Sequence, residues 1–362
     1  MRRGYLDWMR GLAVLIMIEA HTLDSWTRPA DRALGSFGIA MIVGGFGAPI
    51  FLFLAGVAVS MSAGSKMRRL GDRRRAARAV RGRGWQIFGL AFLFRLQSYL
   101  LNPGAALAGL LKVDILNIMG PAIAGAACVW GAVERTRTRL AAFAVVAVAC
   151  AMLTPLVRTT PLLALLPDPV EWYFRPVAGR TNFTLFPWAG FVFAGALVGV
   201  LIDGAGERSS ERRLIACLFL GGVLVGAAGY GASFLPPIYP VTNFWTSSPT
   251  FFLLRCGVIT VLIPLIYLWD QRPRRVTPWS PMKMFGRASL FVYWIHVEMV
   301  YGWLTAGLHK RLAFPQACLA FAVFTLGLFG LVLLKNRLGA RFNPQSAVSN
   351  PIRNQQSAIQ NG

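Results

Sequence analysis

DWMRGLAVLIMIEAHTLDSW, running from Asp7 to Trp26, is the stretch whose reading decides the fold. An acid–base pair, Asp7 with Arg10, stands at its start, an apolar body follows, and Glu19, His21 and Asp24 mark its far end. About 20 mostly apolar residues cross a bilayer as a helix, and ionisable groups inside such a span cost enough to flag functional positions. Asp7 and Arg10 are three apart, as are His21 and Asp24, so each pair shares a helix face. A carboxylate beside an imidazole favours its charged form or fixes its tautomer. The stretch holds Glu19 and His21 and lacks a small-x-small cleavage site, so it reads as a retained helix and not a signal peptide.

The remainder of the chain repeats the apolar theme. Hydrophobic residues are 56% of 362, charged residues 14%, and mean hydropathy is +0.54. Those values describe a multi-span helical membrane protein rather than a soluble enzyme. Apolar runs fall at 9–27, 36–63, 84–101, 113–133, 140–157, 185–203, 214–235, 250–269, 284–304 and 312–334. The second is overlong, with Pro49 and several glycines, and reads as kinked or partly re-entrant. The fold class is therefore an all-α integral membrane protein, a polytopic bundle of about ten transmembrane helices in the cell membrane.

The net charge of +23 follows the spans and not a nucleic-acid surface. With the N-terminus inside, inner segments hold 27 Lys and Arg, counting Arg10 and Arg287 at inner span ends, outer segments hold 8, and Arg95 and Arg255 fall deeper within spans. Positive residues retained on the cytoplasmic side give an N-in, C-in arrangement. The segment 66–83, KMRRLGDRRRAARAVRGR, reads as a basic cytoplasmic loop that attracts anionic lipid or the phosphates of a soluble donor. Residues 1–341 form the membrane domain. Residues 342–362 are rich in Asn, Gln and Ser and read as a disordered polar cytoplasmic tail. The five cysteines make no CxxC pair and read as small buried hydrophobes.

Placed by depth, the polar residues in the spans gather towards the outer side. They are Glu19 and His21, Arg95 with Gln97 and Ser98, Asp114 and Asn117, Asn182, Arg255, and His296 with Glu298. This pattern predicts a polar cavity opening outward. Two His and two Glu with no HExxH or close His pair do not make a metal site, and no metal is expected. GxSxG and P-loop motifs are absent from the sequence.

The opening YLDWMRGLAVLIMIEAH resembles the LDxxRGxA…M…H start of the transmembrane acyltransferases, nearest the heparan-alpha-glucosaminide N-acetyltransferase-like branch. Residues 44–65 (GGFGAPIFLFLAGVAVSMSAGS), 184–199 (TLFPWAGFVFAGALVG) and 285–302 (FGRASLFVYWIHVEMVYG) are similar as well. The resemblance implies a ten-or-so-helix enzyme that moves an acyl group, acetyl above all, from cytosolic acyl-coenzyme A to an extracytoplasmic sugar or polysaccharide. It also implies that His21 is catalytic, since related members carry a His or Asn near the outer end of the first helix. Members with Asn there bring a His from just downstream, whereas this chain has no His between 22 and 295.

The chemistry agrees with that implication. Acylating an amine or hydroxyl needs a base for its proton and donors for the oxyanion of the tetrahedral intermediate. His21 is the candidate base, held by Asp24 or Glu19, with His296 and Glu298 as a second catalytic pair. Asp7, Arg10, Glu19, Arg95, Asp114, Asn117 and Arg255 are the candidates for holding the substrates. Expected partners are lipid, acyl-coenzyme A and the sugar acceptor; a homo-oligomer is compatible, and nucleic acid is not expected. A multi-span transporter or flippase of a polar or glycolipid substrate is the competing class, but no inverted repeat relates the halves.

Overall fold

A computed structural model describes residues 3–102, 104, 106–206, 208–271 and 280–342. It is 81% helix, with no strand among the described residues. The helices are α1 Gly4–Trp26, α2 Gly35–Gly44, α3 Gly47–Leu70, α4 Arg73–Leu101, α5 Ile115–Ala132, α6 Thr136–Thr159 and α7 Asp168–Glu171. They continue as α8 Leu185–Gly204, α9 Arg208–Ala232, α10 Pro249–Asp270, α11 Pro281–Arg287, α12 Ser289–Tyr301 and α13 Phe314–Phe342. The expected polar tail lies outside the described residues apart from its first position.

Among the described residues, seven stretches are long and apolar enough to cross a membrane: Gly35–Leu70, Ile115–Ala132, Thr136–Thr159, Leu185–Gly204, Ser210–Ala232, Pro249–Asp270 and Phe314–Gly339. Three expected spans stand outside that set, each for a visible reason. Helix α1 has the length but carries Asp7, Arg10, Glu19 and Asp24. Helix α4 holds Arg95, Gln97 and Ser98 within its apolar half and arginines in its first half. The run 284–304 is divided into α11, α12 and a short 3-10 turn at Trp303–Leu308, with a joint at Ala288.

Two other expectations are corrected. The basic stretch 66–83 is not a loop, because α3 continues to Leu70 and α4 begins at Arg73. Only Gly71 and Asp72 separate them: Gly71 takes φ +67° as the C-cap, and the Asp72 carboxylate accepts from the Arg75 amide at 3.0 Å. Of the cysteines, Cys150 and Cys256 are buried, but Cys128 and Cys217 are exposed. The outer surface of a membrane helix admits apolar side chains as readily as its core.

The chain forms two compact units, residues 1–44 with 268–362, and 45–267. In the second, α3 packs on α8 with backbones in contact. A Cβ at Gly56 would land on the Val192 carbonyl, and one at Gly195 on the Phe53 carbonyl. The hydroxyl of Ser60 adds a hydrogen bond across this contact, donating to the Ala196 carbonyl at 2.7 Å. Small residues at helix crossings are how membrane helices gain close packing when no hydrophobic drive separates them from lipid. In the segment between α6 and α8, Trp172 packs against Val113 and Ile118.

The first unit is built on α1. Its backbone meets α11 where a Cβ on Gly11 would strike the Met282 carbonyl oxygen and one on Gly286 would strike the Asp7 carbonyl oxygen. Further along, His21 pairs with His296 and Ser25 with Val300, both 275 residues apart in sequence. Gly11 and Gly286 have the same offset, so α1 runs in constant parallel register with the α11–α12 segment. Beyond α1, Asp31 closes the end of the unit. Its carboxylate accepts from the Phe314 amide at the start of α13 and from the Arg28 guanidinium, each at 2.8 Å.

Gly11→Ala should destabilise the first unit by roughly 1–3 kcal/mol, because a methyl group there must push two backbones apart. Gly38→Ala, where a Cβ meets nothing within 4 Å, is the matched control; equal melting temperatures for the two variants would disprove the close contact. The Phe314 amide, and then Arg28, hold the Asp31 carboxyl below its ordinary value of 3.8. A depressed folded-state value means that this contribution is fully present above the unfolded pKa and is lost as pH falls through the folded one. Stability should therefore decline below about pH 4, and less steeply in Asp31→Asn.

Candidate functional site

In the first unit the sequence-predicted residues meet at the far end of α1. The His21 Nδ1 and His296 Nε2 nitrogens lie 3.0 Å apart. Their rings lie edge to edge and nearly coplanar, with centroids 5.2 Å apart and planes inclined by 15°. The ring of Tyr301 stands edge-on to His21 at 5.5 Å, and that of Tyr293 edge-on to His296 at 5.8 Å. His296 is wholly enclosed, at 0% exposure, and its Nδ1 lies 2.8 Å from the Val292 carbonyl oxygen one turn back in α12. His21 is half-buried and is the member of the pair that reaches accessible space.

The carboxylates expected around His21 take other positions. Asp24 is turned outward, with 52% side-chain exposure, and pairs with Arg32 at 3.3 Å. The nitrogen that Asp24 was to hold faces His296 instead, so the expectation of an aspartate–histidine pair gives way to a histidine–histidine pair. Glu19 lies on another side of α1, where its Oε2 faces Gly44 and is buried without a hydrogen-bond partner among the described residues. Glu298 is half-buried, and two positions after His296 it points from a different side of α12. At the opposite end of α1, buried Asp7 is flanked by Arg10 at 3.3 Å and Arg287 at 3.5 Å. That ion-paired cluster is separate from the histidine pair along the helix.

In the second unit, Arg95, Asp114 and Asn117 also meet. The Arg95 guanidinium donates to the Asp114 carboxylate at 2.7 Å, with both side chains 12% exposed. Asp114 is at the same time the N-cap of α5, forming a capping box in which the Asn117 side chain accepts from the Asp114 amide at 3.0 Å. The Asn117 amide group donates to the Tyr173 hydroxyl at 3.3 Å. The capping box was legible as Asp-x-x-Asn, and it supplies a structural reason for two residues read as substrate ligands. Arg255 stands apart on α10, its guanidinium 4.0 Å above the Phe251 ring. Its Nε is buried with no hydrogen-bond partner among the described residues.

At the basic end of the second unit, two surface cavities open. One of about 320 Å³ is lined by Arg74, Arg78 and Arg81 over a floor that includes Ala127 and Gly131. The other, about 580 Å³, is lined by Arg68, Arg73, Arg139 and Trp130, among others. Arg68 is already engaged there by Asp203 through two hydrogen bonds, at 2.9 and 2.8 Å. Among the described residues no cluster of three or more His, Cys, Asp or Glu is arranged to hold a metal ion.

A multi-pass helical membrane protein with a histidine pair near one end of its first helix is the class that these features define. The family model described as "Heparan-alpha-glucosaminide N-acetyltransferase, catalytic" matches residues 2–226, and the chain belongs to that family of membrane acetyltransferases. No curated protein matches the chain. The matched residues include His21, Arg95, Asp114 and Asn117, while Arg255, His296 and Glu298 lie beyond them.

Replacing Arg95 by Leu should cost about 3–5 kcal/mol, because the Asp114 charge is left buried and uncompensated. Asp114→Asn keeps an acceptor for the Ile115 amide, now at 2.8 Å, whereas Asp114→Ala loses that cap as well, worth roughly a further 1 kcal/mol. Thermal melts in detergent should rank Ala below Asn, and the reverse order would contradict the dual role of Asp114.

Proposed function

We propose that the protein transfers an acyl group, acetyl in the first instance, from cytosolic acyl-coenzyme A to an amine or hydroxyl of an extracytoplasmic sugar or glycan. The observation that carries this reading is the His21–His296 pair, built on the first helix of a chain in an acetyltransferase family. In the transfer, the acceptor nitrogen or oxygen attacks the thioester carbonyl carbon while His21 takes its proton. The tetrahedral intermediate then collapses, the carbon–sulfur bond breaks, and the coenzyme A thiolate leaves and takes the proton back from the imidazolium. The products are the acylated sugar and free thiol, so atoms and charge balance without a metal or redox partner.

Sidedness rests on charge. The split of 27 inner to 8 outer cations supports ten spans with N-in and C-in ends, and in this reading the far end of α1 faces outward. In this reading residues 1–341 act as one membrane domain with a separate polar tail. The phosphates of the donor would meet the arginine-lined grooves at the basic end of the second unit, since guanidinium groups pair well with phosphate. Within the second unit, Arg95, already paired with Asp114, and Arg255 are the interior cations assigned to holding an anionic group. Asp7, Arg10 and Glu19 retain a supporting part on α1, and Asp24 is assigned to its ion pair with Arg32.

Purified protein in sealed vesicles should move radiolabelled acetyl from acetyl-coenzyme A to one or more members of a panel of amino sugars and glycans. Transfer should require donor on the face carrying residues 66–83 and acceptor on the other. His21→Ala should lower the rate by about 10²–10⁴-fold, the loss expected for a general base, with folding intact. Full activity in His21→Ala would remove the base assignment. Transport of the panel sugars without acetylation would replace the enzyme by the transporter.

A further inference from the structure

The two nitrogens of His296 are both committed, and the commitment has a direction. A carbonyl oxygen accepts only, so the 2.8 Å contact with the Val292 carbonyl requires a proton on His296 Nδ1. At 0% exposure an imidazolium has no water to solvate it, so the neutral ring is the stable form. A neutral imidazole carries one N–H, which leaves His296 Nε2 as an acceptor. The His21 nitrogen 3.0 Å away must then be the donor, so His21 carries its proton on Nδ1. Its own Nε2 consequently holds a lone pair, which is the form that a base requires.

We propose that His296 is a positioning residue which holds His21 in the Nδ1–H tautomer, relaying the polarity of the Val292 carbonyl across two nearly coplanar, hydrogen-bonded rings to the His21 Nε2 lone pair. This inference rests on the reading of His21 as the base. His296 itself is enclosed and does not touch substrate. The in-plane hydrogen bond, with 15° between the ring planes, fixes the rotation of the His21 ring, and Tyr301 packs edge-on against it. When Nε2 takes the proton of the acceptor, His21 becomes an imidazolium whose Nδ1–H still donates to His296, so no second proton moves.

The test combines a spectrum with kinetics. In protein labelled with ¹⁵N at histidine, long-range proton–nitrogen correlation separates the tautomers, because Nε2 couples to two ring protons and Nδ1 to one. Wild-type His21 should show an unprotonated Nε2. In His296→Leu it should move to a mixture with protonated Nε2, and kcat should fall by about 10²-fold with little change in KM for acetyl-coenzyme A. His296→Gln retains an acceptor at the position of Nε2 and should recover most of both readouts. A protonated Nε2 in the wild type overturns the proposal, and so does a Leu variant with unchanged tautomer and kcat. A melting temperature far below wild type for Leu passes the decision to the Gln variant and the wild-type spectrum. If the wild type transfers no acetyl group to any acceptor, the functional reading fails, and the spectrum still decides the tautomer.

Discussion

At Gly11 and Gly286 two helix backbones approach so closely that neither position has room for a Cβ. This contact sets the register of everything above it in the first unit. Both helical segments run in the same direction, and ten residues on from each glycine, about 15 Å at helical rise, stands a histidine. Four residues further, the Ser25 hydroxyl donates to the Val300 carbonyl at 3.2 Å, repeating the offset once more. A slip of one residue in either helix would rotate its histidine by about 100° and break the pair. The glycines therefore carry a geometric requirement that reaches the site without touching it.

Low dielectric surroundings explain why the polar groups of this chain occur as closed sets. An orphaned charge inside a membrane protein costs several kcal/mol, so each must be matched nearby. Asp7 is matched by Arg10 and Arg287, and Asp114 by Arg95 and by the amides of its own helix start. His296 solves the same problem without charge, donating to a carbonyl and facing a second neutral ring. Not every interior group is matched: Glu19 Oε2 and Arg255 Nε, with Arg95 Nε and six other side-chain atoms among the described residues, are buried without hydrogen-bond partners.

Much of this was legible in the sequence, and the misses share a cause. Hydropathy located the apolar runs because lipid imposes one composition on all of them. It could not separate a helix that continues into solvent from a loop, so 66–83 read as a loop although its Ala, Arg and Lys content favours helix. Nor did it reveal the joint at Ala288, where the backbone leaves helical geometry and α11 stops. Among site residues, His21 stood out by its place in α1, but its partner did not. Sequence spacing finds neighbours three or four apart, and Asp24 satisfied that rule while turning outward to Arg32. The real partner is 275 residues away. A signal for it does exist in the sequence: Gly11 and His21 on one side, and Gly286 and His296 on the other, share one spacing.

In the proposed transfer, with His21 as the base, a neutral partner has a consequence that a carboxylate would not. Aspartate beside the imidazole would stabilise the imidazolium by direct charge attraction, which is strong where the dielectric is low. A neutral ring offers only a lone pair and a dipole, so the imidazolium formed during transfer is held less deeply. It therefore returns its proton more readily, and the leaving thiolate is the group that needs it. The arrangement also avoids placing a permanent negative charge where an acyl oxyanion must develop. Orientation is fixed by a hydrogen bond between two nearly coplanar rings, while the charge balance is left to the reaction itself.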